Sequence, residues 1–173
     1  MLLDLRRLAE PCERLERTYP ASDLEATDDF AVVADVAFSC DVDRLRDGYR
    51  LVGRLTTRLR VLCCRCVELC ETPVEMAFDL RYLPQDRNTG DGESEIGDDD
   101  LSTAFYRDEQ IDLGQLMREQ FYLALPMKPL CRTECLGLCA VCGRNLNVSQ
   151  CGCSAEWQDS SLDTLNGLLD RKS

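Results

Sequence analysis

A chain of 173 residues is long enough to bury a core of its own, which excludes dependence on disulfide staples of the kind mini-proteins need. Apolar residues make up 45% of it, so it is globular, and no apolar run approaches the roughly 20 residues of a membrane helix. A net charge of −12 excludes a protein that coats nucleic acid through bulk electrostatics, yet leaves room for a local basic face.

The stretch through Ala26 scatters Leu2, Leu3, Leu5, Leu8 and Leu15 among charges, with Pro11 and Pro20 as interruptions, and reads as partly extended or short-helical. Its opening MLLDLRRLAEP is charged throughout and lacks the pattern of a secretion signal, so a soluble, cytoplasmic protein is expected. From Phe30, AVVADVAF is β-branched and bounded by polar residues, as a strand is. Asp47-Gly48 marks a turn, because glycine tolerates the positive φ of tight hairpins.

The next strand alternates most clearly. Leu51, Gly53, Leu55, Thr57, Leu59 and Val61 share one face, and Arg50, Arg54, Arg58 and Arg60 the other. Arg44 to Arg65 holds seven arginines and a single acid, Asp47. Such a stripe either pairs with acids from elsewhere or makes Arg50, Arg54, Arg58 and Arg60 candidates for phosphate contacts. Alternation resumes at Val74, Met76, Phe78 and Leu80. The segment QDRNTGDGESEIGDDD, residues 85–100, carries seven acids and three glycines and predicts a mobile acidic loop, since it cannot bury enough apolar area to offset its ordering entropy.

A short apolar piece, Ala104 to Tyr106, precedes Asp112, which is placed to cap a helix with Gln115 returning the contact. Leu113, Leu116, Met117, Phe121 and Leu125 follow at helical spacing, and Pro126 ends the run. Leu162, Leu165, Leu168 and Leu169 predict a second short amphipathic helix. The expected fold is α+β: residues 1–130 form an antiparallel sheet packed by an amphipathic helix, and residues 131–173 form a Cys-rich, zinc-knuckle-like module.

Twelve cysteines and no histidine define the chemistry. Reducing cytosol disfavours stable disulfides, and closed four-thiolate sites are structural rather than catalytic. Cys139-Ala-Val-Cys142-Gly143 has knuckle form, and Cys151-Gly-Cys153 presents two sulfurs to one side if extended, which makes Cys139, Cys142, Cys151 and Cys153 a candidate centre. A second can be assembled from Cys63, Cys66, Cys131 and Cys135; spacing alone leaves other pairings open, and Cys64 competes. Zinc is the natural occupant of one or both sites, with iron the alternative. Cys12, Cys40 and Cys70 read as spares, since free cysteine packs well as a small hydrophobe. A thiol-redox enzyme or an iron–sulfur carrier also fits the thiol count, but neither CxxC opens a convincing helix. The chain has no phosphate-cradling glycine loop, nucleophile elbow or His-based dyad, so a non-enzyme without a small-molecule substrate is expected.

Cys63-Cys-Arg-Cys66, the acidic interval, Ile111-Asp-Leu, Leu123-Ala-Leu-Pro-Met-Lys-Pro-Leu-Cys131, Cys135-Leu-Gly-Leu-Cys-Ala-Val-Cys-Gly-Arg-Asn-Leu-Asn147 and Cys151-Gly-Cys153 together resemble the bacterial YceD family, the large ribosomal RNA subunit accumulation proteins. The resemblance runs from about Phe30 to Trp157 and departs at Cys64 and at Val67-Glu-Leu-Cys70-Glu-Thr-Pro. It implies a non-enzymatic role in the synthesis, processing or stability of large-subunit ribosomal RNA in bacteria and chloroplasts, with the metal as a local staple. Two partner classes follow: a precursor large subunit or its RNA, bound through Arg50, Arg54, Arg58 and Arg60, or a ribosomal protein or ribonuclease, bound through the acidic loop or the Leu162–Leu169 helix.

Overall fold

The computed structural model describes residues 1–87 and 102–154. The acidic loop expected over 85–100 is thus described only at Gln85–Arg87, a 3₁₀ turn, and the helix expected around Leu162–Leu169 lies outside the described residues. The chain divides into two compact units, Met1–Cys63 with Glu68–Cys131, and Cys64–Val67 with Arg132–Ser173.

The described residues of the first unit form β1 (Leu2–Asp4), β2 (Cys12–Tyr19), β3 (Phe30–Val32), β4 (Val36–Arg44), β5 (Tyr49–Leu62), β6 (Leu69–Pro84), β7 (Thr103–Tyr106), β8 (Gln110–Asp112) and one α-helix, α1 (Leu113–Ala124). The main sheet runs β2-β4-β5-β6-β7, with β3 also on β5, and β1 pairs with β8 in a two-stranded sheet. All pairings are antiparallel except β6 with β7, which is parallel. The α+β fold with a mostly antiparallel sheet is as expected, with this one parallel pairing added. A parallel partner needs a return connection of about a dozen residues or more, and the interval from 85 to 102 supplies that length.

The strand expected over AVVADVAF is in fact two. β3 pairs with the far end of β5 (Phe30 opposite Val61), and β4 with its near end (Ala37 opposite Thr56). At the break, the Val33 N–H donates to Arg58 O at 3.0 Å, and the Thr57 hydroxyl donates to Ala34 O at 2.8 Å. β5 is long enough, at 14 residues, to seat both in succession along one edge. β2 forms the outer edge beyond β4, with Pro11 and Pro20 immediately before and after it.

The Asp47-Gly48 turn joins β4 to β5 as expected, for a different reason. Gly48 does not take positive φ. A Cβ at this position would meet Tyr82 O at 2.1 Å, so the glycine permits a close backbone approach to β6.

The alternation in β5 does sort its side chains: Leu51, Leu55, Leu59 and Val61 are buried, while Arg50, Arg54, Arg58 and Arg60 are exposed. Val36, Phe38, Cys40 and Val42 join them from β4, and Val74, Phe78 and Tyr82 from β6. Phe38 stacks on Phe78 with ring centroids 5.6 Å apart. α1 adds Leu113, Leu116, Met117 and Phe121, and the Phe121 ring meets Phe30 edge-on at 5.8 Å.

The Asp112 carboxylate caps α1, accepting from the N–H groups of Gly114 and Gln115 at 2.8 and 3.3 Å. Gln115 does not return the contact. Its amide donates to Glu119 at 2.9 Å, while Asp112 is itself a strand residue paired with Leu2. No described helix is long and apolar enough to cross a membrane.

Burial pushes the Cys40 thiol up to about 12 and raises the Tyr82 phenol as well. The folded chain therefore holds these protons more tightly than the unfolded chain. The corresponding stability is complete below the ordinary thiol value of 9.0 and is lost as pH rises toward about 12. Thermal melts should shift downward over that range, and Cys40→Ala should flatten the fall. An equal alkaline slope in that variant counts against the assignment.

Candidate metal centres

Both CxxC segments fold into the same local turn. In the first, the Cys63 N–H donates to Glu68 O at 2.9 Å; in the second, the Cys139 N–H donates to Arg144 O at 2.8 Å. In each, the residue after the second cysteine is left-handed, Val67 at φ 60° and Gly143 at φ 70°. A Cβ at Gly143 would meet nothing within 4 Å, so backbone conformation alone calls for glycine there.

Val67 takes the same conformation with a β-branched side chain, which is unfavourable by roughly 1–2 kcal/mol. Its side chain is exposed, so little burial is at stake. Val67→Gly should raise stability, by up to about 1 kcal/mol after the greater freedom of an unfolded glycine is subtracted. The midpoint of denaturant unfolding reports this, and a lowered midpoint refutes it.

The thiol groups of Cys139, Cys142, Cys151 and Cys153 all lie within 4.8 Å of one another, and so do those of Cys63, Cys66, Cys131 and Cys135. Four sulfurs around one zinc at about 2.3 Å stand roughly 3.8 Å apart, so both groups fit a single ion with a small contraction. Cys12, Cys40, Cys64 and Cys70 belong to neither group. The two groups differ in exposure. Cys63, Cys66 and Cys135 are buried beside an exposed Cys131, whereas Cys142 and Cys153 are exposed and Cys139 and Cys151 half-buried.

Charge within the exposed group points the same way. The N–H groups of Cys142 and then Val141 aim at the Cys139 sulfur and hold its pKa down to about 6. Hydrogen bonding with Cys142, burial and Cys151 push Cys153 up to about 12. Four crowded thiols resist ionising together, and a dication reverses that balance.

The arginine face is less cationic than its sequence suggests. Arg50 makes a bidentate pair with Asp79 at 2.8 and 2.6 Å, and Arg58 and Arg60 share Glu71 at 3.6 and 3.4 Å. Strand register puts Arg14, Arg50, Arg54, Arg58, Arg60 and Arg81 on this face with Glu16, Asp41, Asp43, Glu71, Glu75 and Asp79, so the charges balance. Arg54 makes no ion pair or hydrogen bond among the described residues.

Residues 51–169 match the family described as "Large ribosomal RNA subunit accumulation protein YceD". The chain belongs to the YceD family. Among curated YceD relatives, the chain is 33% identical over 157 residues to the chloroplastic "Large ribosomal RNA subunit accumulation protein YCED homolog 1" of Zea mays, covering 78% of this chain and 53% of that protein. The Arabidopsis thaliana homologue of the same name is 28% identical over 157 residues, 79% of this chain and 49% of its own. An uncharacterized Mycobacterium tuberculosis protein is 29% identical over 102 residues, 59% of this chain and 47% of its own. The chain thus spans about half the length of the curated relatives it matches. No solved structure matches it.

The YceD match contains all eight grouped cysteines and Arg54, Arg58 and Arg60, with Arg50 one residue outside. It also contains residues that ligand spacing does not single out. Asn147 donates from its amide nitrogen to the Cys135 sulfur at 3.3 Å and to Asn145 Oδ1 at 2.9 Å. Its own oxygen accepts from the Leu136 N–H at 2.9 Å and from Arg132 at 2.6 Å. Arg65, between the first two ligands, donates to Cys135 O at 2.8 Å and accepts the Leu138 N–H at 3.0 Å. These contacts orient a ligand rather than supply one. The Asn-Leu-Asn run was the signal that could have exposed them.

Proposed function

We propose that this chain is a non-enzymatic, zinc-braced factor in the accumulation of large-subunit ribosomal RNA, acting in ribosome biogenesis on a precursor large subunit or its RNA. The YceD match across residues 51–169 carries the reading. The thiol groups support its non-enzymatic part, because four sulfurs close a tetrahedral ion and leave no coordination position for a substrate. Cys139, Cys142, Cys151 and Cys153 would hold one zinc, and Cys63, Cys66, Cys131 and Cys135 the other; bound zinc supplies folding energy. Iron competes for the same donors, and metal analysis separates the two. Eight cysteines gathered in two four-thiol groups bind metal only when reduced, which favours a reducing setting such as the cytoplasm.

The test is affinity capture of the whole chain at physiological salt, with and without ribonuclease, followed by sequencing of the RNA. Large-subunit precursor RNA should be enriched and lost on digestion. Capture of neither large-subunit RNA nor its associated proteins sinks the reading. A second reading, an adaptor for a ribosomal protein or a ribonuclease, is favoured by the exposed apolar side chains Val67, Leu136, Val141 and Val148 of the second unit. Capture of one such protein that survives digestion selects it.

A further inference from the structure

The four arginines of β5 are not equivalent. Three are held by acids from β6, a strand 11 to 29 residues further along the chain. Arg54 stands apart because register surrounds it with uncharged residues: Ser39 lies opposite on β4, Ala77 opposite on β6, and Val52 and Thr56 two residues away along its own strand. It lines an open concavity of about 350 Å³ together with Thr18, Ser39, Thr56, Arg17 and Glu16. Register turns the Arg17 side chain to the opposite face, with Phe38 and Leu55, and Glu16 is engaged by Arg14 at 2.8 Å.

The uncommitted Arg54 guanidinium beside three hydroxyls forms a donor-rich cradle. Its single carboxylate is already offset by its own arginine. Guanidinium forks and hydroxyl donors match the oxygens of a tetrahedral anion, and the local charge favours one unit of negative ligand. We propose that Arg54, with the hydroxyls of Thr18, Ser39 and Thr56, binds a backbone phosphate of RNA. This rests on the ribosomal-RNA reading above and narrows it from a four-arginine stripe to one seat. Arg50, Arg58 and Arg60 keep the sheet face electrically balanced, so phosphate is drawn to the one place where it displaces no carboxylate.

The experiment uses the full chain and a defined single-stranded fragment of large-subunit ribosomal RNA, titrated at several salt concentrations, with inorganic phosphate as competitor. Each phosphate contact contributes about 0.7 to the salt slope for single-stranded RNA. Arg54→Ala should therefore lower the slope by about that amount and weaken binding about tenfold, and Arg54→Glu should weaken it further. Arg58→Ala and Arg60→Ala should stay within about twofold, since each arginine is already shared with Glu71. Arg54 is exposed, so circular dichroism of the variants should match the parent. Competition at millimolar phosphate supports a seat for the phosphate group itself, whereas loss of all four arginines having equal effects returns the binding to the whole stripe and overturns the proposal. Unchanged affinity and slope in Arg54→Ala, in a chain whose cellular capture is ribonuclease-sensitive, overturns this seat and leaves the broader reading standing. Capture that is ribonuclease-resistant, with no binding to the purified fragment, removes both the seat and RNA contact.

Discussion

With zinc in both thiol groups, as proposed, Cys142→Ser is expected to cut bound zinc from two ions per chain to one and to leave residues 139–154 without amide protection while β5 remains protected. The reason is what the second unit has inside it. Among its described residues only Cys66, Cys135 and Gly137 are buried, and none carries a large apolar side chain. A segment this short cannot fold on hydrophobic burial, and thiolate–zinc ligation in comparable peptides is worth about 10–16 kcal/mol. Removing one sulfur from the exposed group therefore removes the main reason for its order. Chelator should act in the same sequence, stripping the group with exposed Cys142 and Cys153 before the one with buried Cys63, Cys66 and Cys135. Elemental analysis and hydrogen exchange read both effects. Full protection of 139–154 in the variant would falsify the metal assignment.

Phe121→Ala should be the most damaging truncation in the first unit, lowering stability by about 3–5 kcal/mol. The ring is fully buried in the last turns of α1 and packs edge-on against Phe30, so its loss leaves a cavity and uncovers the end of β3. Domains of this size are stable by only about 5–15 kcal/mol, so this single change removes a large share of the total. Leu123→Ala, two positions away, serves as the control. Its side chain is 69% exposed, and the change should stay within about 0.5 kcal/mol. Similar denaturation midpoints for the two variants would place α1 differently on the sheet.

The parts of this molecule that were readable in advance are those encoded by short-range periodicity. Alternation in β5 and the helical spacing of Leu113, Leu116, Met117 and Phe121 each report which side is buried, and a CxxC carries its turn within five residues. β2 was not readable, because an edge strand with Glu13, Arg14, Glu16 and Arg17 has no apolar face to repeat. The break between β3 and β4 depends on how much of β5 is available to each, which no local pattern contains. The same limit governs the arginine face. Its countercharges arrive from Glu71 and Asp79, and only strand register places them opposite Arg60 and beside Arg50. Ligand types and spacing were visible as chemistry, whereas Asn147 acts through contacts 11 and 12 residues away.

An eight-residue strand at the rim of a sheet ordinarily invites a neighbouring chain to add itself by backbone hydrogen bonding. Here β2 is bracketed by prolines and turns Glu13 and Arg17 toward the side where its neighbour β4 places Val42 and Phe38, so an incoming strand would have to desolvate those charges. The molecule thereby resists self-association and amyloid-like stacking along this rim. Any partner it recruits there must be selected by side-chain chemistry, because the main chain is a poor template for strand addition.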